Sequence, residues 1–253
     1  MTAYAAIRFE RAEAVARITF NRPEQLNALD PILISEALSA VETVAESDAR
    51  VLVVTGAGKA FSAGVDLKAA QSFDRESLRQ YSEQACAMIR LLETMPQITI
   101  ARVDGYCFTG GLEIALGCDF IIASETSEFA DTHAKLGLSS GWGMTQRLPR
   151  RIGWMKAKEI SVTCRRVGAR EALALGLILD AVPADQLDGR IDLLAQQVCA
   201  NSGGAIAVYK AQYRMAQNVS LDEGLENVAT KRVRVTDNRE RQSAFTAALG
   251  RKT

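Results

Sequence analysis

The sequence predicts an α/β body followed by an all-helical tail. Two observations carry this. Val51–Val54 is a continuous apolar run, and Ile98–Val103 and Phe120–Ala123 are apolar strand candidates of the same kind, with helical stretches between them. That is the β-α-β pattern of a partly parallel sheet covered on both faces. Beyond about residue 150 the apolar spacing turns helical, and too few strands remain to build a second sheet.

Taken in order, Tyr4–Glu10 and Ala14–Phe20 alternate and are expected as two strands of a hairpin. Asn21-Arg22-Pro23 breaks the second. Asp30-Pro31 then opens a helix, with Asp as N-cap and Pro at the first helical position. Ile34, Leu38, Val41 and Ala45 follow at helical spacing and point one face inward. In the tail, Met155–Thr163, Ala169–Leu175, Ala184–Ala200, Ala205–Gln217 and Leu221–Arg239 are expected as helices. Ser220-Leu221-Asp222-Glu223 is a capping box before the last.

Lys+Arg is 30 and Asp+Glu is 30. The balance argues against a nucleic-acid binder and offers no pull toward acidic membranes. Five cysteines, an odd count without a Cys-x-x-Cys spacing, predict free thiols in a reducing compartment and hence a cytoplasmic protein. A single histidine and no cysteine cluster argue against a zinc site, and no metal is expected. The N-terminus lacks a signal-peptide pattern, and no run reaches the ~18 apolar residues of a membrane span. Gly56-Ala57-Gly58-Lys59 lacks P-loop spacing, and no Gly-x-Ser-x-Gly elbow occurs.

The stretch that carries chemistry runs from Ile98 to Phe120. A strand turns at Asp104-Gly105, reaches Gly110-Gly111 and passes into a short buried helix, Leu112–Leu116. Free N–H groups and the helix dipole make such a start receptive to negative charge, and glycine allows close approach. Glu113 lies in the first turn. An anion hole beside a carboxylate suits an enzyme that forms an enolate-like oxyanion and moves a proton. A tight turn into a core helix, with Glu113 favoured by the dipole, accounts for the same residues.

A second small-residue segment, Ala63-Gly64-Val65-Asp66, lies upstream. Together with Asn21-Arg22-Pro23, Asn27-Ala28-Leu29, Gly110-Gly111-Leu112-Glu113, Cys118-Asp119 and Thr145-Gln146-Arg147, it resembles the crotonase (enoyl-CoA hydratase/isomerase) family in order and spacing over essentially the whole chain. The resemblance implies a crotonase-like spiral of ββα repeats over residues 1–200. It also implies a C-terminal helical trimerisation region over 201–253, in a homotrimer or homohexamer. The ligand it implies is an acyl-CoA thioester, with coenzyme A as part of the substrate and no separate cofactor. By the same resemblance, the N–H groups of Val65 and Gly110 form the oxyanion hole. Ala63, Val65, Asp66, Leu67 and Lys68 line the coenzyme A path. Phe245 and Lys252 close over the nucleotide, although a core aromatic and a solvated lysine explain them equally well.

Hydratases of this family hold a water between two glutamates. Glu113 matches the first; His133 stands where the second is expected. A neutral imidazole holds a water or takes a proton, and an imidazolium gives one. Asp131 is a further candidate base, or a loop-capping aspartate. Ser139-Ser140-Gly141-Trp142-Gly143 replaces a Pro- and Gly-rich loop, so Trp142 either shapes the acyl pocket or fills the core. The expected activity is enoyl-CoA hydration, with Glu113 as principal acid/base and His133 as its partner. Isomerisation, decarboxylation, hydrolysis, and acyl-CoA binding without turnover stay open as alternatives.

Overall fold

A computed structural model of the chain describes residues 4–230 and 235–249. It begins with the expected hairpin, β1 (Ile7–Ala12) antiparallel to β2 (Val15–Phe20). Helix α1 (Pro31–Ala45) starts at its predicted cap: Asp30 accepts the Leu33 N–H at 2.8 Å. Next come β3 (Val51–Gly56), β4 (Ala60–Ser62), α2 (Leu67–Ala70) and α3 (Arg75–Thr94). A second pair, β5 (Ile98–Val103) and β6 (Tyr106–Phe108), leads to α4 (Gly110–Leu116), and a third is β7 (Phe120–Ser124) with β8 (Glu128–Ala130). Beyond these lie α5 (Met144–Ile152), α6 (Trp154–Thr163), β9 (Val167–Gly168), α7 (Ala169–Ala174), β10 (Asp180–Val182) and α8 (Leu187–Ala200). The tail is α9 (Gly203–Ala216), α10 (Leu221–Thr230) and α11 (Asn238–Leu249).

Each pair β3/β4, β5/β6 and β7/β8 gives one strand to each of two sheets. The larger has the order β1-β2-β3-β5-β7-β10 and is parallel from β2 onward; the smaller is β4-β6-β8-β9. Parallel neighbours need a crossover. Helices supply it, so the chain advances as a spiral of ββα turns.

β3 shows why its run is apolar throughout. Leu52 and Val54 join the main core with α1 and α3. Val51 and Val53 join a second cluster, with Ile98, Ile100 and Ile122, under Leu187, Ile191 and Ala195 of α8. Each such side chain is worth ~1.5–3 kcal/mol on burial.

Helix α9 is fastened to this body by Lys210, which is buried. Its ammonium donates to Leu92 O at 2.9 Å and Gln97 O at 2.8 Å, and meets Asp119 Oδ2 at 2.7 Å. Asp119 also accepts from the Thr99 N–H and hydroxyl, at 2.8 and 3.0 Å. The Cys118-Asp119 motif is therefore a latch between the sheet and the tail.

The helix expected over Leu221–Arg239 is corrected. α10 is described as far as Thr230, and the chain turns at Thr236-Asp237 before α11. Asp237 is drawn to Ser202, whose hydroxyl donates to it at 2.5 Å, a long-range bond that helical periodicity does not encode. The capping box holds in its first half, with Glu223 N–H donating to Ser220 Oγ at 3.3 Å. α5, which carries Pro149 inside it, precedes the first of the helices given bounds from the sequence.

Candidate active site

The loop after β2 builds one wall. Asn27 is buried. Its Oδ1 accepts the Arg22 N–H at 2.9 Å, and its amide donates to Ala57 O at 2.9 Å and Ala60 O at 2.7 Å. This bolts the Asn21-Arg22-Pro23 turn onto β4. Leu29 then bridges Val65 in parallel: Leu29 N–H donates to Gly64 O at 2.8 Å, and Asp66 N–H donates to Leu29 O at 3.0 Å. Both bonds are made by Leu29. Ala63 N–H donates to Leu26 O, and Gly64 N–H to Ser62 Oγ. The Val65 N–H, in the middle of this series, has no acceptor among the described residues.

The second wall is the entry to α4. Thr109 has a φ of 44°, unusual for a side chain with a branched β-carbon. Its N–H is held by Ala130 O at 2.8 Å. Gly64, at φ +96°, lies directly against it; a β-carbon there would come within 1.9 Å of Thr109 Oγ1. Gly64 and Thr109, the residues just before Val65 and Gly110, are thus packed together. Gly110 begins the helix, where the first N–H groups have no intrahelical partner. A β-carbon on Gly110 would reach within 2.7 Å of the Trp142 ring, and one on Gly111 within 2.7 Å of Ser62 O.

Glu113 projects from the first turn of α4 and is 1 % exposed. Its Oε1 accepts three bonds from the loop before α5: Ser140 hydroxyl at 2.9 Å, Trp142 N–H at 3.0 Å and Met144 N–H at 2.9 Å. Arg147 holds that loop, pairing with Glu93 at 2.5 Å and donating to Trp142 O at 2.6 Å. Oε2 is left facing His133 Nε2 at 3.7 Å. Burial raises the Glu113 carboxyl above its ordinary value, against the opposing Met144, Ser140, His133 and Trp142 contributions.

His133 follows β8, at the head of a single 3-10 turn, Ala134–Leu136. It is 9 % exposed. Asp131 Oδ1 meets its Nδ1 at 2.7 Å and accepts its main-chain N–H at 3.2 Å. Ser161 of α6 donates to Asp131 Oδ2 at 2.6 Å. The Asp131 bond raises the imidazole above its ordinary value; burial opposes it and Glu113 adds to it. Burial pushes Asp131 upward, but its bonds to His133 and Ser161 outweigh this and leave it below the usual carboxylate range.

The arrangement is a buried carboxylate, a histidine backed by an aspartate, and the N–H groups of Val65 and Gly110, which have no acceptor among the described residues. A model of the enoyl-CoA hydratase/isomerase family matches residues 10–252.

The chain belongs to that family, the crotonases.

It is 37% identical over 223 residues to a probable enoyl-CoA hydratase of Mycobacterium bovis, covering 88% of this chain and 86% of that one. It is 32% identical over 225 residues to a crotonyl-CoA hydratase of Syntrophomonas wolfei, covering 88% and 86%. Among solved structures, an enoyl-CoA hydratase of Bacillus anthracis superposes with a TM-score of 0.90 at 33% identity, covering 96% of this chain and 97% of that one. The protein is an enzyme of the crotonase family with the crotonase fold.

Within this crotonase, the remaining predicted site residues are spread unevenly. Ala63 O accepts from Thr109 Oγ1 at 3.4 Å. Asp66 caps α2 through the Lys68 and Ala69 N–H groups and pairs with Arg22 at 3.0 Å, so its carboxylate is engaged within the fold. Leu67 and Lys68 are exposed beside it. The Trp142 ring is buried against Tyr81 and Gly110, and the Tyr81 hydroxyl donates to Leu29 O at 2.7 Å. Phe245, on α11, is 68 % exposed. Lys252 lies outside the described residues. Sequence reasoning missed Ser140 and Ser161. The former carried only its place in an atypical loop; the latter, thirty residues from its partner, carried no signal. Among the described residues no cluster suited to a metal ion occurs, and no helix is long and apolar enough to cross a membrane.

Proposed function

We propose that this crotonase hydrates a 2-enoyl-CoA thioester. The observation that carries the reading is the 3.7 Å separation of Glu113 Oε2 and His133 Nε2; the N–H groups of Val65 and Gly110, which have no acceptor among the described residues, support it. A water bridging the two from one side, at about 2.8 Å from each, gives one proton to the Glu113 carboxylate while its oxygen bonds to C3. The C2–C3 π electrons move onto the thioester oxygen, which the Val65 and Gly110 N–H groups receive. Removal of such a donor costs ~10²–10³ in rate. The enolate then collapses, and C2 takes a proton from the His133 imidazolium. Both added atoms arrive from one face, which is syn addition. Glu113 is left protonated and His133 neutral, and a proton passing back across the gap resets the site.

The Glu113 base must be ionised and the His133 acid protonated. The two carboxylates flanking the ring favour the cationic imidazole, and burial makes Glu113 a stronger base than an exposed carboxylate. Ala63, Asp66, Leu67, Lys68 and Phe245 are assigned to the coenzyme A path. Trp142, packed over Gly110, is assigned to the end of the acyl pocket and favours short acyl groups. Exposed Tyr209, Tyr213, Leu221, Leu225 and Phe245 on the tail support a homotrimer or homohexamer.

The test is mass spectrometry of acyl-CoA thioesters of increasing chain length after incubation with the enzyme. Crotonyl-CoA should gain one water, and turnover should fall as the chain lengthens. Migration of the double bond, release of free coenzyme A thiol, or binding without turnover would replace hydration by isomerase, hydrolase or binding-protein readings respectively.

A further inference from the structure

Asp131 stands one step behind the reacting groups. Both of its oxygens are occupied: Oδ1 by the His133 ring and main-chain N–H, Oδ2 by the Ser161 hydroxyl. It is 3 % exposed. The candidate base of the sequence therefore has no free oxygen with which to take a proton from a substrate. Its geometry does something else. With Nδ1 bound to Asp131, Nε2 is the ring nitrogen left to face Glu113.

The charges around the ring are few. Asp131 and Ser161 lie on one side and Glu113 on the other. Arg147 of α5 and Cys86 of α3 reach Glu113 rather than His133. A buried carboxylate is costly to hold unless it is paired and its lone pairs are satisfied. At 2.7 Å from a ring nitrogen, with Ser161 on its other oxygen, Asp131 meets both conditions when the ring is cationic.

We propose that Asp131 and Ser161 are positioning residues that hold His133 as an imidazolium with Nε2–H directed at the Glu113 side of the gap. An aspartate–histidine pair thereby stands in for a second glutamate. Its consequence for turnover rests on the hydratase reading; its protonation claim does not.

The chain contains one histidine, so ring resonances need no assignment by mutation. Nitrogen-15 NMR of the full-length protein labelled in histidine reads the protonation of both ring nitrogens against pH. In the wild type both nitrogens should still be protonated at a pH above the ordinary histidine value of ~6.5, where a free imidazole is mostly neutral. A neutral ring at that pH overturns the proposal even if no variant folds. Asp131→Asn keeps an acceptor on Nδ1 but removes the charge, and should lower the ring midpoint by about one unit or more. An unchanged midpoint in that variant overturns it too. With crotonyl-CoA, the alkaline limb of kcat/KM should move down with the ring midpoint while KM stays within a few fold. A limb that stays in place while the ring midpoint moves detaches the pair from catalysis and counts against the hydratase reading. No turnover in the wild type would sink that reading alone, since the ring titration needs no substrate.

Discussion

Glu113→Gln separates the chemical role of this side chain from its structural one. Three donors converge on Oε1, at 2.9 to 3.0 Å. They fix the glutamine carbonyl in the same position, because the amide –NH₂ would oppose them. The NH₂ then replaces Oε2 opposite His133. Shape and loop contacts survive; the capacity to take a proton is lost, and with it one of the two charges that favour the His133 imidazolium. A positioned general base contributes ~10²–10⁴ in rate, or about 2.7–5.4 kcal/mol at 1.36 kcal/mol per tenfold. The fall in kcat should lie in that range, with acyl-CoA affinity within a few fold of the wild type. Stability gives an independent check. The folded carboxyl is raised above its unfolded value. Its favourable contribution is therefore complete below the unfolded pKa and lost as pH rises through the folded one. At neutral pH the ionised group is a burden, and Glu113→Gln should unfold at or above the wild-type temperature. Glu113→Ala would instead strand the Trp142 N–H and the Ser140 hydroxyl, at about 1–3 kcal/mol each, and leave the Met144 N–H only its second acceptor, Ser140 Oγ at 3.1 Å. Steady-state kinetics, calorimetric binding and thermal melts measure all three. Retention of most of kcat in Glu113→Gln would refute the reasoning and leave Glu113 as a residue favoured only by the helix dipole.

Lys210→Met should destabilise the chain by about 3–5 kcal/mol, since it leaves Asp119 and two carbonyls without their cation; chemical denaturation with an unchanged midpoint would contradict the latch. Gly64→Ala must displace Thr109 or Val65, because its β-carbon would sit 1.9 Å from Thr109 Oγ1. A rate loss of ~10² or more in protein that still shows native circular dichroism is expected if the Val65 N–H serves the oxyanion, and wild-type kcat would remove that role. The apolar tail should be covered by a second copy, giving a trimer or hexamer in light scattering; a monomer at micromolar concentration would contradict this.

Local features were legible in the sequence. Asp30-Pro31 caps α1 because both its signals lie within one turn. β3 announces itself because burial on both faces demands an unbroken apolar run, and β5 is nearly as apolar, interrupted only by Thr99 and Arg102. Glu113 and His133 were legible through their place in motifs. The three-residue strands β4, β6 and β8 were not, since they are too short for any period to appear. Asp131 was visible as a residue but not as the partner of His133. The roles of Ser140, Ser161 and Lys210 arise from contacts 27 to 118 residues apart. Nothing local marks them. The break before Asn238 is of the same kind, because Asp237 answers to Ser202 rather than to its neighbours.

The central claim is that Glu113 and His133 act as a base–acid pair on one water. Its most direct test is the pH dependence of kcat/KM for crotonyl-CoA in the wild type and in His133→Ala. The wild type should fall on the acid side as Glu113 takes up its proton, at a pH above the ordinary carboxylate range. It should fall again on the alkaline side as His133 loses its proton, above the ordinary histidine range. His133→Ala should lose the alkaline limb and ~10²–10⁴ in rate. A His133→Ala profile that overlays the wild type in height and shape would contradict the pair and leave Glu113 to act alone.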